Sequence, residues 1–277
     1  MVESDTDTPF ISIPGVLNFR DIGGYPIPSR PGKQVRRGLV YRSAEPSEVT
    51  DAGLDKIQRL GIAISYDLRS ERELARANQD FKLFRDGYTG IKKILAPVFR
   101  DEDYSPEAIA LRFKTYRASP EGFAEGYFAV LTAGAHPENG ARPYATILEH
   151  LTTDTAPQPI LIHCQVGKDR TGIICALILS LCGVEDDVVA DEYSLSDIGL
   201  ASLHEQLVAN LLLKAEFRED PESARLMVLT RRDNMLLFLK KIKKEHGSVK
   251  QCVINLNLLT EEGIEQLRTN MIVDITN

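Results

Sequence analysis

Cys164, Arg170 and Thr171 are spaced as a nucleophile, an anion clamp and a hydroxyl donor would be within one loop. The string reads His163-Cys164-Gln165-Val166-Gly167-Lys168-Asp169-Arg170-Thr171-Gly172. As a thiolate, Cys164 attacks phosphorus in line and forms a phosphocysteine. Backbone N–H groups from Gln165, Val166, Gly167 and Lys168 through Arg170 bind the non-bridging oxygens, and the planar Arg170 fork grips two of them. Thr171 is placed to donate its hydroxyl to the sulfur as it leaves in the second step. Gly167 and Gly172 let the backbone turn and approach the phosphate closely. Lys168 adds a point charge directed at the substrate entrance. His163 is expected to orient the loop through hydrogen bonds rather than to act as a base. A nucleotide-binding P-loop needs Ser or Thr after the lysine and a further glycine upstream, but Asp169 and Ile162 stand at those positions.

The loop needs flanking elements to hold it, and the sequence supplies them. Apolar residues 159–162 predict a buried strand before Cys164, and 173–181 predict a buried helix after the loop. The loop therefore leads to a helix N-terminus, where unpaired amides and the positive end of the dipole favour an anion. With Arg170 beside it, the same field favours the thiolate form of Cys164. Strands are also predicted at 39–43, 62–68 and 93–96. Helices are predicted at 50–60, with Thr50 as cap and Gly61 as stop, and after a Ser70/Glu73 capping box. Others are expected at 105–117, opened by Ser105-Pro106-Glu107, and at 123–132 and 144–151, with a loop over 133–143. From about Asp186 the chain reads as helices only. This alternation predicts an α/β fold with a central, mostly parallel sheet flanked by helices. We expect one domain over 10–277, with lid-like and C-terminal helical additions at about 100–135 and 186–277, behind a disordered acidic tail at 1–9.

Composition narrows the partners. The chain has 277 residues, 43% of them hydrophobic, and a formal net charge of −7, which argues against nucleic-acid binding. Cys164, Cys175, Cys182 and Cys252 lie too far apart for a zinc motif and suggest no disulfide framework, so a reducing, cytoplasmic setting is expected. Cys175 and Cys182 fall seven residues apart on the apolar helix and read as core. The first residues lack the basic and apolar regions of a signal peptide. The longest apolar stretch, 173–184, contains Ser180 and Gly183 and is too short to span a bilayer, so no transmembrane segment is expected. Arg231, Arg232, Lys240, Lys241, Lys243 and Lys244 form a basic run. It reads as a solvated helix face or, alternatively, as a surface for peripheral membrane contact.

On these residues the chain resembles the cysteine-dependent tyrosine and dual-specificity phosphatases, in particular the branch related to mycobacterial tyrosine phosphatase B. The resemblance is carried by the Gly-Lys-Asp-Arg-Thr of the loop, by Asn18-Phe19-Arg20-Asp21-Ile22-Gly23-Gly24 and by Tyr41-Arg42-Ser43. Asp67-Leu68-Arg69-Ser70 and a closing pattern from Gly247-Ser248-Val249 to Leu267-Arg268 extend it over about residues 12–270. It implies a phosphatase-type fold, no metal or cofactor, and phosphorylated protein as substrate: phosphotyrosine, with phosphoserine and phosphothreonine behind it. Lys168 also resembles the loop lysine of phosphoinositide phosphatases, which makes a phosphoinositide or inositol polyphosphate the alternative substrate. Many lipid enzymes carry a second lysine directly after the cysteine, and here Gln165 replaces it.

Ester cleavage also needs a proton for the leaving oxygen. The chain has no tryptophan, so the Trp-Pro-Asp acid loop of most tyrosine phosphatases is absent in its usual form. Asp169 is one candidate. Lys168 and Arg170 favour its carboxylate, whereas a bound phosphate dianion favours its acid form; in the resembling branch a loop aspartate serves at this position. Asp101 and Asp103 form the other candidate loop, with a role at a helix N-terminus as the structural alternative. Residues 18–21 and 41–43 either approach the site or make a structural network and an edge strand. Two other functions compete. A phospho-ligand reader has no need of Cys164, Arg170 and Thr171 together. An arsenate reductase or sulfurtransferase is disfavoured by Arg170-Thr171 leading into a helix and by the lack of a nearby second cysteine.

Overall fold

The computed structural model describes residues 9–77, 90–100, 103, 120–153 and 157–275. In chain order the strands are β1 (Arg20–Asp21), β2 (Lys33–Val35), β3 (Val40–Ser43), β4 (Ile64–Asp67), β5 (Lys92–Leu95), β6 (Ile160–His163) and β7 (Ile272–Asp274). Five of them form the central sheet in the order β1-β3-β6-β4-β5. β3, β6, β4 and β5 run parallel, and β1 lies antiparallel on the edge. The sheet is thus mostly parallel, as the alternating pattern predicts. Its register sets His163 level with Ser43 on one side and Asp67 on the other. Cys164 follows directly, at the carboxyl ends of parallel strands, where open α/β sheets place their ligands.

The strands are apolar on both sides because both sheet faces are covered. Tyr41 and Leu161 face a smaller cluster with Phe19, Leu54 and Ile57, whereas Val40, Ile160 and Ile162 face the main core. Helix α1 (Asp51–Arg59) supplies the smaller cluster. Thr50 caps it by accepting the Gly53 N–H at 3.2 Å, and Gly61 ends it with φ +71°. Helix α2 (Glu71–Ala77) opens with the expected capping box: the Ser70 hydroxyl accepts the Glu73 N–H at 3.2 Å, and Glu73 accepts the Ser70 N–H at 3.0 Å. The opposite face carries α3 (Pro120–Gly134), α4 (Pro143–His150) and α5 (Asp169–Cys182), with α5 buried almost all round. Then follow α6 (Asp186–Gly199), a 3₁₀ turn at Ala201–Leu203, α7 (His204–Leu212), α8 (Pro221–Val228), α9 (Arg232–His246), α10 (Val249–Asn255) and α11 (Glu261–Met271).

Several expectations need correction. Helix α5 begins at Asp169, four residues earlier than the apolar run implies, so Asp169, Arg170 and Thr171 belong to its first turn. Hydropathy marks only the buried part of a helix; the first turn is fixed by loop geometry, and an early acid suits the dipole. The region after Asp186 is not helical throughout, because β7 pairs antiparallel with β2 and ties the end of the chain to its beginning. Three residues after a helix carry too little periodicity to announce a strand. The helix expected at 105–117, Asp101 and nearly all of the expected tail lie outside the described residues. Three members of the basic run, all on α9, are met by acids. Arg232 pairs with Asp187 and, at 2.6 Å, with Asp191; Lys241 pairs with Glu125 at 2.8 Å and Lys243 with Asp186 at 2.5 Å.

Candidate active site

Cys164 leaves β6 with only 2% of its surface exposed, at the base of the loop that leads into α5. Three loop carbonyls are held from outside the loop. The Glu45 N–H binds Gln165 O at 3.2 Å, Asn18 Nδ2 binds Val166 O and Gly167 O at 3.2 Å, and Arg42 binds Gly167 O at 2.8 Å. A planar trans peptide directs its N–H opposite to its C=O. Pinning the carbonyls of Gln165, Val166 and Gly167 from outside therefore turns the amides that share their peptides, those of Val166, Gly167 and Lys168, to the inner side of the loop. Among the described residues, no acceptor is hydrogen-bonded by the N–H groups of residues 165–169. Those five donors at the start of α5 form a concave anion site. Gly167 is required for it: its φ is +67°, and a Cβ there would lie 2.0 Å from the Ser43 carbonyl oxygen.

The residues that grip the loop are themselves locked. Arg20 and Arg42 share Glu192 of α6, with Nε–Oε1 at 2.8 Å and N–Oε2 at 2.6 Å, and all three are 0–2% exposed. Burial opposes charge on Glu192, but the two guanidiniums outweigh it and hold the carboxyl below the ordinary range. For residues 18–21 and 41–43, Asn18 and Arg42 reach the loop and Asp21 accepts the Gly23 and Gly38 N–H groups at 2.7 and 2.6 Å, but residues 41–43 lie in β3, which is flanked by β1 and β6 and is not the expected edge strand. Glu192 went unnoticed in the sequence. Its signal was its place with Val189, Ala190, Tyr193 and Ser196 on the buried face of α6, since a carboxylate there demands a cation.

Arg170 is held by Glu73, which takes two guanidinium nitrogens at 2.7 and 2.8 Å, while the Leu68 carbonyl accepts at 3.3 Å. The Phe99 ring lies 5.7 Å from the guanidinium carbon. Glu73 thus serves the capping box and the arginine together, and only the first role was legible in the sequence. Behind the loop, Asp67 pairs with Arg69 at 2.9 Å and with Lys93 at 3.3 Å, and lies 3.8 Å from His163 Nδ1. Burial pushes the His163 imidazole down to about 4 against the pull of Asp67, so the ring is neutral, and it contacts the Cys164 backbone. Burial likewise pushes the Cys175 and Cys182 thiols up to about 12, as core thiols.

Asp169, in the first turn of α5, accepts a hydrogen bond on Oδ1 from the Tyr127 hydroxyl, and Tyr127 is bonded in turn to Tyr193. The other acid candidate behaves differently: Asp103 accepts the Arg100 N–H at 2.8 Å and closes a local turn. The Thr171 hydroxyl is buried and has no hydrogen-bond partner among the described residues, so the bond to Cys164 sulfur is not formed here. Lys168 does not point where the sequence suggested. Its ammonium donates to the carbonyls of Met227, Val228 and Leu229 at 2.7, 3.1 and 3.2 Å, at the end of α8, where the helix dipole is negative. Gly172 also differs from expectation, for it is helical and makes room for a ring: a Cβ there would lie 2.9 Å from Tyr193. Beside the loop, Val166, Lys168, Asp169, Leu207, Lys214 and Met227 line part of a cavity of about 190 Å³.

Known proteins match this chain at several levels. The sequence pattern of the tyrosine phosphatase family matches residues 11–273. The triple specificity protein phosphatase PtpB of Mycobacterium tuberculosis is 31% identical over 209 residues, covering 70% of this chain and 72% of its own. A tyrosine-protein phosphatase of Nostoc commune is 28% identical over 155 residues, covering 56% of this chain and 47% of its own. The core catalytic domain of the PP-IP phosphatase SIW14 from S. cerevisiae, solved with citrate, overlays with a TM-score of 0.31 at 16% identity, over 82% of this chain and 93% of that one.

Proposed function

The chain belongs to the tyrosine phosphatase family, and on that premise we propose that it hydrolyses phosphate monoesters through a phosphocysteine formed on Cys164, with phosphotyrosine as the leading substrate. The observation that carries this reading is the loop itself: the amides of residues 165–169, with no acceptor among the described residues, in a loop between a buried cysteine and a helix N-terminus. The amides of Gln165 to Arg170 and the Arg170 guanidinium hold the non-bridging oxygens as charge develops on them. Cys164 sulfur attacks phosphorus, the ester P–O bond breaks, and Asp169 gives its proton to the departing oxygen. Water then attacks the phosphocysteine, returning a proton to Asp169, and the sulfur leaves as thiolate. Thr171 is positioned to donate to that sulfur. The free state of all four cysteines supports a reducing, cytoplasmic setting for such a thiolate.

Replacing Cys164 with Ser tests the mechanism: phosphate release from a phosphotyrosine peptide is expected to vanish while binding of the peptide persists. Undiminished turnover in that variant would overturn it. The M. tuberculosis relative is by name a triple specificity phosphatase, which supports a site open to more than phosphotyrosine. Phosphoinositides form the second reading, favoured by the cavity beside the loop, where Lys168 and Lys214 flank Leu207 and Met227. Against strong lipid selectivity stands the engagement of the Lys168 ammonium by three carbonyls. The pairing of Lys241 and Lys243 with acids likewise weakens the case for peripheral membrane contact. Comparing phosphotyrosine and phosphoserine peptides with phosphoinositides and inositol polyphosphates at equal concentration decides between the readings. A preference for the last two would make this an inositide enzyme.

A further inference from the structure

We propose that Tyr127, backed by Tyr193, is a positioning residue for Asp169 and fixes which carboxyl oxygen handles the proton. The proposal rests on the reading of Asp169 as general acid. Tyr127 lies on α3 and Tyr193 on α6, both fully buried, whereas the Asp169 side chain is 35% exposed at the edge of the loop. An exposed carboxylate held only by its own helix turn would sample several rotamers. Here the Tyr127 hydroxyl donates to Oδ1.

Proton bookkeeping then sets the direction of the chain. A phenol has one hydrogen. Tyr127 gives its hydrogen to Asp169, so its oxygen must accept from the Tyr193 hydroxyl, with which it is in contact. The arrangement survives a change of protonation, because Oδ1 accepts in both the carboxylate and the acid. Oδ2 makes no hydrogen bond among the described residues and is left to carry the proton to and from substrate. After the proton has gone, the bond from Tyr127 becomes charge-assisted and stabilises the carboxylate that remains.

The two rings are built into place. Tyr127 packs edge-on against Phe123, Tyr193 and Phe238, at centroid distances of 6.3, 6.0 and 5.9 Å. Tyr193 is seated against α5 by the absence of a side chain at Gly172, where a Cβ would lie 2.9 Å from the ring. The hydroxyl pair is therefore referenced to the same helix that carries Asp169. Among the described residues, the charged and titratable groups near Asp169 are Lys168, at 3.8 Å from Oδ1, Tyr127 with Tyr193 behind it, Arg170 on its own turn, and Lys214 across the shared cavity.

The test is Tyr127→Phe, assayed on phenyl phosphate, whose leaving group needs a proton, and on p-nitrophenyl phosphate, whose leaving group hardly does. We expect kcat/KM to fall roughly 10- to 100-fold on the first and only a few-fold on the second. The alkaline limb of the kcat/KM profile, where the acid loses its proton, is expected to move to higher pH, because the carboxylate has lost a donor. In an Asp169→Asn background, Tyr127→Phe should cost nothing further. An equal loss on both substrates, or the same loss in the Asn background, would overturn the proposal. Tyr193→Phe keeps every ring contact and should give the same pattern at smaller amplitude, so it carries the test should Tyr127→Phe fold poorly. Failure of the underlying reading shows separately, as Asp169→Asn cleaving phenyl phosphate at the wild-type rate.

Discussion

Glu192→Gln probes the framework that shapes the loop. Glu192 is the shared counter-ion of Arg20 and Arg42, at 2.8 and 2.6 Å, with exposures of 0–2% for all three. The substitution keeps the volume but removes the charge, and it turns one acceptor toward an arginine into an amide donor. Two guanidiniums are then buried with no anion between them. Removing one partner from a buried ionic cluster costs about 3–5 kcal/mol, against a total of roughly 5–15 kcal/mol for a folded domain. For a chain of this size that corresponds to a fall in Tm on the order of 10 °C. Urea unfolding at pH 7.5, compared at constant m, reads the difference. The effect should shrink on acidification: Glu192 sits below the ordinary carboxyl range in the folded protein, so its contribution is present above that range and lost as pH falls through it. A change of less than about 1 kcal/mol at pH 7.5 would refute the account of the triad as one ionic unit. A triple apolar variant, with Arg20→Met, Glu192→Leu and Arg42→Met, separates stability from function. It should regain most of the stability but not the turnover, because the 2.8 Å bond from Arg42 to the Gly167 carbonyl is gone.

Two further outcomes follow from the same contacts. Glu73→Gln weakens the two-point hold on Arg170 and should lower kcat/KM about 10- to 100-fold, with a loss of stability near 1 kcal/mol, measured by steady-state kinetics beside thermal melts. Acidification should destabilise the fold before the carboxylates titrate. His163 is held neutral with its folded value lowered to about 4, so the unfolded chain binds more protons between about pH 6.5 and 4, and stability falls as pH drops through that window. Urea midpoints at pH 7.5, 5.5 and 4.5 should show the decline, and His163→Asn should flatten it.

By itself the sequence determined the chemistry of the loop and its immediate frame. Cys164, Arg170 and the strand-loop-helix context are local patterns, as are the Thr50 cap and the Ser70/Glu73 box, and physics acting within a few residues fixes them. The parallel sheet followed from strands alternating with helices. What only the tertiary structure decided is how those local pieces are held. Glu73 meets Arg170 across 97 residues, and Arg20 meets Glu192 across 172. Lys168 turns away to the end of α8, and β7 returns to pair with β2. Such contacts leave no periodic trace, because burial requires only that a charge find some partner and leaves open which one. The same holds for Asp169. Its residue type made it a candidate, but its tie to Tyr127 and Tyr193 exists only because α3 and α6 are packed together beside α5.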